Sequence, residues 1–280
     1  MNLSPVLNIE AFKQFVQKEK SNYSQEKPFP HTVIEQFINP ELALSASKEI
    51  DQIHEHTSYF RHYNSKKYTC NELDKMGPAT QTIIQALQSK EFIEQISELS
   101  GIPGLIADPT LEGGGVHILS PTGFLNVHTD FLSHAKFRNW SRRINILVYL
   151  NPDWKESYQG QLELWDREGK NCIKSVLPDL NRCVIFSTIE KSYHGNPRPV
   201  QSPEGKDRKS IALYYYTAEK NTLNLKTTDY ISLPETGVMG RIANRFDRIA
   251  LYLIAFSKRH LGLSNETFAN AIKKVSGWFK

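Results

Sequence analysis

Three side chains of this sequence could together bind a metal ion: His128, Asp130 and His194. They lie in Val127-His128-Thr129-Asp130 and Ser192-Tyr193-His194-Gly195. The run Phe124-Leu125-Asn126-Val127-His128 reads as a strand, and a strand shows alternate side chains on one face, so His128 and Asp130 reach toward one point. With His194, two imidazoles and a carboxylate occupy one face of an octahedron and leave the other half open. Non-haem Fe(II) uses that arrangement to hold a co-substrate and O2. A His-x-Asp alone says little, because nine histidines and thirty acids should produce about one His-x-Asp or His-x-Glu by chance. Order and setting raise the signal. His134 is too near in sequence to be a convincing third ligand, and His260 sits in a helical tail. His194 follows the β-forming run Cys183 to Ser187 and precedes a glycine.

Charge balance extends the site. Asp130 offsets part of the Fe(II) charge, and a bidentate 2-oxo acid would bring more negative charge and displace water. An oxo acid with a second carboxylate then needs a cation at its far end. Arg208 offers a planar fork of donors suited to a carboxylate. It opens the apolar run Ile211 to Tyr216, whose packing can fix its face; Arg198 and Lys209 are competitors. A carboxylate at 130 argues against halogenation, which needs a coordination position vacated for halide.

The elements that must position these residues are legible from punctuation. Ile9, Phe12, Phe15 and Val16 have helical spacing within the polar stretch 1–27. Pro28-Phe29-Pro30 precedes an extended run over 31–37. Asn39-Pro40-Glu41 supplies an N-cap, a first-turn proline and an acid for a helix to about Ile53. Residues 58–70 show no clear preference. Pro78 and Ser89 open two more helices, and Gly101 stops the second. After Asp108, β-forming runs at 112–120, 124–130, 142–151, 160–166, 171–177, 182–188, 192–199 and 208–217 alternate with turn signals. That spacing predicts a sandwich or jelly roll. Beyond Thr217 a linker leads to helices over 239–258 and 264–279. Ile242, Phe246, Ile249, Ala250, Leu253 and Ile254 form a stripe on the first, expected to pack on the domain, with a dimer or partner surface as the alternative. The expected fold is mainly β with flanking helices. A double-stranded β-helix core over 109–217 follows an N-terminal helical support region, 1–108, and precedes a C-terminal helical extension, 218–280.

Composition bounds the function class. At 280 residues and 39% hydrophobic the chain can bury a full core. A formal charge of +4, spread rather than gathered in a stripe, is no nucleic-acid footprint. Cys70, Cys172 and Cys183 lack metal-ligand spacing, so a reducing cytoplasm is the expected compartment. Residues 1–20 contain no signal-length apolar run, and no stretch of about 18 apolar residues occurs, so a soluble chain without a membrane span is expected. Leu233-Pro234-Glu235-Thr236-Gly237 matches a wall-sorting signal, but Arg241, Arg245, Asp247 and Arg248 interrupt the segment after it, where such a signal needs an apolar span. Gly113 to Gly115 is no phosphate cradle, since no helix comes after it.

Taken as a set, Gly123-Phe124-Leu125-Asn126-Val127-His128-Thr129-Asp130, Arg142-Arg143-Ile144-Asn145-Ile146-Leu147-Val148-Tyr149-Leu150-Asn151, Gly160-Gln161-Leu162-Glu163-Leu164-Trp165, Ser192-Tyr193-His194-Gly195 and Arg208-Lys209-Ser210 resemble the prolyl-4-hydroxylase-like 2-oxoglutarate- and Fe(II)-dependent oxygenases, over residues 29–217. The resemblance implies a double-stranded β-helix buttressed by N-terminal helices. It implies that His128, Asp130 and His194 hold iron, and that Arg208 with the Tyr149 hydroxyl holds the distal carboxylate of 2-oxoglutarate. It also implies Fe(II), 2-oxoglutarate and O2 as cofactors and co-substrates, with ascorbate as a further candidate.

Two departures stand out. Gln159 precedes a single Gly160 where many relatives carry two glycines, and no tyrosine stands shortly before the His-x-Asp strand. If Tyr149 points inward, so do Leu147 and Asn145; Asn145 then either lines the co-substrate pocket or makes a strand-end hydrogen bond. His117 either touches co-substrate or substrate or bonds within the sheet. The basic, aromatic segment 134–140 is a lid or a solvated loop, and Trp165 is expected in the core rather than in contact with a cofactor.

The implied reaction is hydroxylation of a C–H bond with release of succinate and CO2. Its default substrate is a prolyl residue in a protein or peptide. The alternatives are an oxygenase acting on a free amino acid or other small metabolite, and a non-catalytic metal-binding jelly-roll module. No nucleic-acid partner is expected.

Overall fold

The computed structural model describes residues 3, 5–233 and 235–261. Helix α1 (Ile9–Tyr23) starts where the Asn8 side chain accepts the Ala11 N–H at 3.1 Å, and it buries Phe12, Val16 and Tyr23. Strand β1 (His31–Ile34) leads to α2 (Pro40–Ile50), whose free N–H groups at Glu41 and Leu42 are taken by the Asn39 side chain at 2.9 and 3.3 Å. The undecided stretch 58–70 is a hairpin, β2 (Ser58–His62) and β3 (Ser65–Cys70). Helices α3 (Pro78–Leu87) and α4 (Lys90–Ser100) come next; Gly101, at φ +68°, ends α4 in the left-handed region that glycine enters freely. Then come β4 (Ile106–Ala107), β5 (Gly115–Leu119), β6 (Phe124–Thr129), β7 (Trp140–Tyr149), β8 (Leu162–Trp165), β9 (Cys172–Val176), β10 (Cys183–Ser187), β11 (His194–Asn196), β12 (Arg208–Ala218), β13 (Asp229–Tyr230) and α5 (Val238–Leu261).

Every strand pairing is antiparallel, in the order β1-β10-β7-β12-β5-β3-β6-β11-β8-β9. Strand β3 pairs with both β5 and β6, so it joins two leaflets of one curled sheet. This is the mainly β, jelly-roll type of fold expected, a half-barrel open on one side. Strand alternation divides its first leaflet. Ile144, Ile146 and Val148 of β7, with Ile211, Leu213 and Tyr215 of β12, meet Phe12, Ile83, Leu87, Phe92 and Ile96 of the helices in one buried core. The residues between them, including Asn145, Tyr149, Arg208 and Ser210, face the hollow between the leaflets.

The segment after Thr217 is more than a linker. Strand β13 adds to β6 with Tyr230 opposite His128. Helix α5 continues to Leu261, past the expected 258, while the helix read over 264–279 lies outside the described residues. The α5 stripe does not pack on the domain as expected. Ile242, Phe246, Ile249 and Leu253 are 46–69% exposed, and a polar pair on the opposite face, Asn244 and Asp247, holds the helix instead. That anchoring is invisible to a pattern that counts only apolar residues. In segment 134–140 the His134 ring is buried while Lys136, Arg138 and Asn139 are exposed. The His134 ring accepts the N–H groups of Lys136 and Phe137, faces Asp108 at 3.3 Å, and packs with Phe137, Trp140 and Tyr216.

Candidate active site

Strands β6 and β11 are neighbours with His128 directly opposite His194, and the two ring centroids are 4.5 Å apart. In each ring the Nδ1–H is donated to a backbone carbonyl two residues earlier: Asn126 O at 2.8 Å for His128 and Ser192 O at 2.9 Å for His194. That fixes the tautomer and turns each Nε2 lone pair inward. Asp130 closes the set. Its Oδ1 is 3.8 Å from His128 Nε2 and its Oδ2 is 3.4 Å from His194 Nε2. The three ligand atoms lie within 4.8 Å of one another, all on buried residues, so one ion could touch all three.

The electrostatics suit a cation. Burial pushes the His128 imidazole down to about 3, with His194 adding to the shift, and burial lowers His194 as well. Both rings are therefore neutral donors near pH 7. Burial opposes ionisation of Asp130, but Arg142, the two histidines and the Asn145 amide outweigh it and hold the carboxyl well below the usual range. A network explains this. Asn145 Nδ2 donates to Asp130 Oδ2 at 2.6 Å, and Arg142 Nη2 lies 3.1 Å from the same oxygen. Arg142 Nε donates to Asn145 Oδ1 at 2.7 Å, and the guanidinium lies 3.3 Å from the Tyr214 ring centroid. Asn145 thus orients the carboxylate from behind. Arg142, to which the sequence pattern assigned no role, is the second residue holding it.

Across the hollow, Arg208 and Tyr149 stand together as the resemblance implies. The Arg208 guanidinium carbon is 4.9 Å from the Tyr149 ring centroid, and its Nε donates to Gly160 O at 2.9 Å. The Tyr149 hydroxyl is fully buried without a well-formed hydrogen bond. An unpaired buried hydroxyl costs about 1–3 kcal/mol, and here it lies beside a cation, as a site awaiting an anion would. The competitors are elsewhere: Lys209 pairs with Asp51 at 2.8 Å, and Arg198 is exposed beside Glu163 at 3.3 Å. His117 faces the hollow and donates from Nε2 to Gly113 O at 3.0 Å; burial first, and Lys67 next, keep it neutral. Trp165 is buried, its Nε1–H on Glu163 at 3.0 Å.

Sequence reasoning missed Lys67 and Tyr230. Lys67 is in the stretch with no clear pattern, and its charge acts on His117 and His128. Tyr230 is in the supposed linker, its ring centroid 5.2 Å from that of His128. No local signal marks either one, because each reaches the site through a strand pairing.

Comparison with known proteins agrees with the geometry. Residues 114–216 match the model of the 2OG-Fe(II) oxygenase superfamily. The chain is 27% identical over 194 residues to prolyl 3-hydroxylase OGFOD1 of Mus musculus and 24% identical over 194 residues to that of Xenopus laevis. Those alignments cover 68% of this chain and 33% and 35% of the two relatives, so the chain spans about a third of the curated relatives it matches. Among solved structures, a prolyl hydroxylase from Trichoplax adhaerens superposes with a TM-score of 0.53 at 18% identity, covering 74% of this chain and 91% of that one. A Pseudomonas putida prolyl-4-hydroxylase gives 0.51 at 16% identity, covering 72% and 99%. These two structures establish the fold.

Proposed function

We propose that the chain, whose residues 114–216 match the 2OG-Fe(II) oxygenase superfamily, is a hydroxylase of that superfamily acting on a prolyl residue of a protein or peptide, with release of succinate and CO2. The observation that carries this reading is the convergence of His128, Asp130 and His194 within 4.8 Å on two paired strands. The donor set fits the metal: two neutral imidazoles and one ionised carboxylate on one face, with the opposite face left open. The far side fits the co-substrate, because Arg208 and the unpaired Tyr149 hydroxyl offer a dicarboxylate two donors. The choice of a prolyl substrate draws on the curated relatives, which are named as prolyl 3-hydroxylases.

With iron, 2-oxoglutarate and O2 bound, the metal and oxo acid would supply an oxidant able to hydroxylate an unactivated C–H bond; the protein supplies geometry. His128 and His194 present their Nε2 atoms because backbone carbonyls hold the opposite ring nitrogens. Asn145 and Arg142 keep Asp130 ionised and aimed. Arg208 and Tyr149 anchor the far carboxylate. Phe186, 4.7 Å from the His194 ring, and Tyr230 help exclude water beside the imidazoles.

We place the protein in a reducing cytoplasm, since Cys70, Cys172 and Cys183 are all free thiols; among the described residues no helix is long and apolar enough to cross a membrane. Ascorbate is proposed as an auxiliary reductant only. The test is succinate formation from 2-oxoglutarate with Fe(II) and O2, together with a search for peptide products heavier by one oxygen. His128→Ala should abolish both signals, and unchanged turnover would remove His128 as a ligand.

A further inference from the structure

Strand β3 is the hinge line of the curled sheet. It pairs with β5 through Tyr68↔Ile118, Thr69↔His117 and Cys70↔Val116, and with β6 through Ser65↔Leu125 and Lys66↔Phe124. Lys67 is the residue at the changeover. It alternates with Thr69, the cross-strand neighbour of His117, so its side chain leaves the strand on the inner face of the hollow.

Asp130 in that hollow is ion-paired with Arg142 at 3.1 Å, and the charge of Lys67 feels Asp130, Arg142 and Arg208. Arg142 is committed to Asp130 and Asn145. Arg208 already gives its Nε to Gly160 O. The Lys67 backbone pairs with Phe60 of β2, but no side-chain hydrogen bond joins the Lys67 ammonium to another described residue. All three of its ammonium donors are therefore unused. Burial lowers its pKa to about 8, with Asp130 pulling the other way and Arg142 and Arg208 adding to the fall. An unpaired cation that the fold has partly desolvated is costly to keep without an anion to meet it.

We propose that the Lys67 ammonium is a second cationic contact for the dicarboxylate co-substrate, taking a carboxylate oxygen of 2-oxoglutarate on the path between the His128–Asp130–His194 set and Arg208. This rests on the hydroxylase function proposed for the same site. The register places Lys67 on the wall of the hollow between the two ends of that path. Thr69, beside it on the same face, is opposite His117, which β12 flanks through Ser210, two residues from Arg208. Lys66 pairs with Phe124 of the strand that carries His128. A flexible stem with a compact charge suits a carboxylate whose preferred fork-shaped partner is already Arg208.

The experiment is anaerobic calorimetry of 2-oxoglutarate into the Mn(II)-loaded protein, for the parent, Lys67→Met, Lys67→Arg and Arg208→Met. Lys67→Met should raise the Kd for 2-oxoglutarate about tenfold to a hundredfold, the range for a lost charge-assisted hydrogen bond, while leaving the affinity for Mn(II) alone within about twofold; Lys67→Arg should recover most of the loss. If Lys67→Met binds 2-oxoglutarate like the parent while Arg208→Met does not, the proposal fails and the oxygenase reading stands. A parent that takes up no 2-oxoglutarate with metal present overturns both. Lys67→Gln replaces the methionine variant should that one fail to fold.

Discussion

Tyr230 of β13 lies opposite His128 of β6, with ring centroids 5.2 Å apart, and Ile231 N–H donates to Val127 O at 3.0 Å. The chain thus returns after its last long strand to press an aromatic ring against one imidazole of the candidate metal set. The anchor is polar: Asn64 Nδ2 donates to Asn244 Oδ1 at 2.8 Å and to Asp247 Oδ2 at 2.7 Å, while His62 Nδ1 bonds Asp247 at 3.0 Å. Tyr230→Ala should weaken Mn(II) binding about tenfold to a hundredfold, as loss of support behind a ligand does. Tyr230→Phe should keep the affinity, since the ring and not the hydroxyl packs on His128. An alanine variant with parental Mn(II) affinity would show that β13 merely covers the site.

Asn145 joins Arg142 to Asp130, and Thr188 Oγ1 also donates to Asn145 Oδ1 at 3.1 Å. Asn145→Leu leaves a buried carboxylate short of one donor and Arg142 Nε without its acceptor. We expect destabilisation of about 1–3 kcal/mol from the groups left unpaired, and weaker metal binding. The co-substrate affinity of whatever fraction loads metal should change little. Calorimetry with metal and 2-oxoglutarate in turn separates these effects; loss of 2-oxoglutarate affinity alone would make Asn145 a pocket contact instead.

Tyr149→Phe should act in two directions. Removing a buried hydroxyl that lacks a well-formed hydrogen bond, with only Arg208 beside it, should leave the metal-free fold about as stable as before or more so, by up to about 1–3 kcal/mol. The same change should weaken 2-oxoglutarate binding, because a donor to the distal carboxylate is gone. Thermal melts and ligand titration on one sample read both, and a destabilised phenylalanine variant would mean that the hydroxyl is satisfied in solution.

Gln159 adopts φ +58°, ψ −158°, a conformation nearly reserved for glycine. It holds the turn into β8, whose Gly160 carbonyl receives Arg208 Nε. Gln159→Gly should therefore raise the stability by about 1 kcal/mol, at the low end of what such a strained residue costs. A decrease in denaturation midpoint would mean that the Gln159 side chain contributes more than its backbone strain costs.

His31 has 0% exposure, its Nδ1–H on Phe29 O at 2.8 Å and its Nε2 without a hydrogen bond, 4.0 Å from Glu26 Oε2. Burial lowers its pKa below 6.5, with Lys174 adding to the fall and the Phe29 carbonyl and Glu26 opposing it. As the pH drops below 6.5 the unfolded chain takes up this proton and the native chain does not, so stability falls toward acid. His117 and His128 act with the same sign in the metal-free protein. His31→Gln should reduce the slope of unfolding free energy against pH between about pH 6.5 and 5 by up to one proton. An unchanged slope would mean that His31 titrates alike in both states.

The sequence by itself determined what depends on neighbours along the chain. Asn39-Pro40 and Ser89 set helix starts because caps are satisfied within one turn, and the alternation through His128 and Asp130 put both on one face because a strand repeats every two residues. The same alternation divides β12: Arg208 faces the hollow beside Tyr149, and Lys209, one residue on, points to the helices and meets Asp51. Tertiary structure alone decided the rest. Lys67 enters the hollow because β3 changes partners at that residue, and Tyr230 reaches His128 through a two-residue strand far downstream in the chain. Arg142 meets Asp130 because the start of β7 lies beside the segment that follows β6, the Arg142 N–H on Leu132 O at 2.8 Å, with aromatic rings to receive its charge. Such contacts are set by strand order and register, which are properties of the whole sheet and leave no local pattern to read.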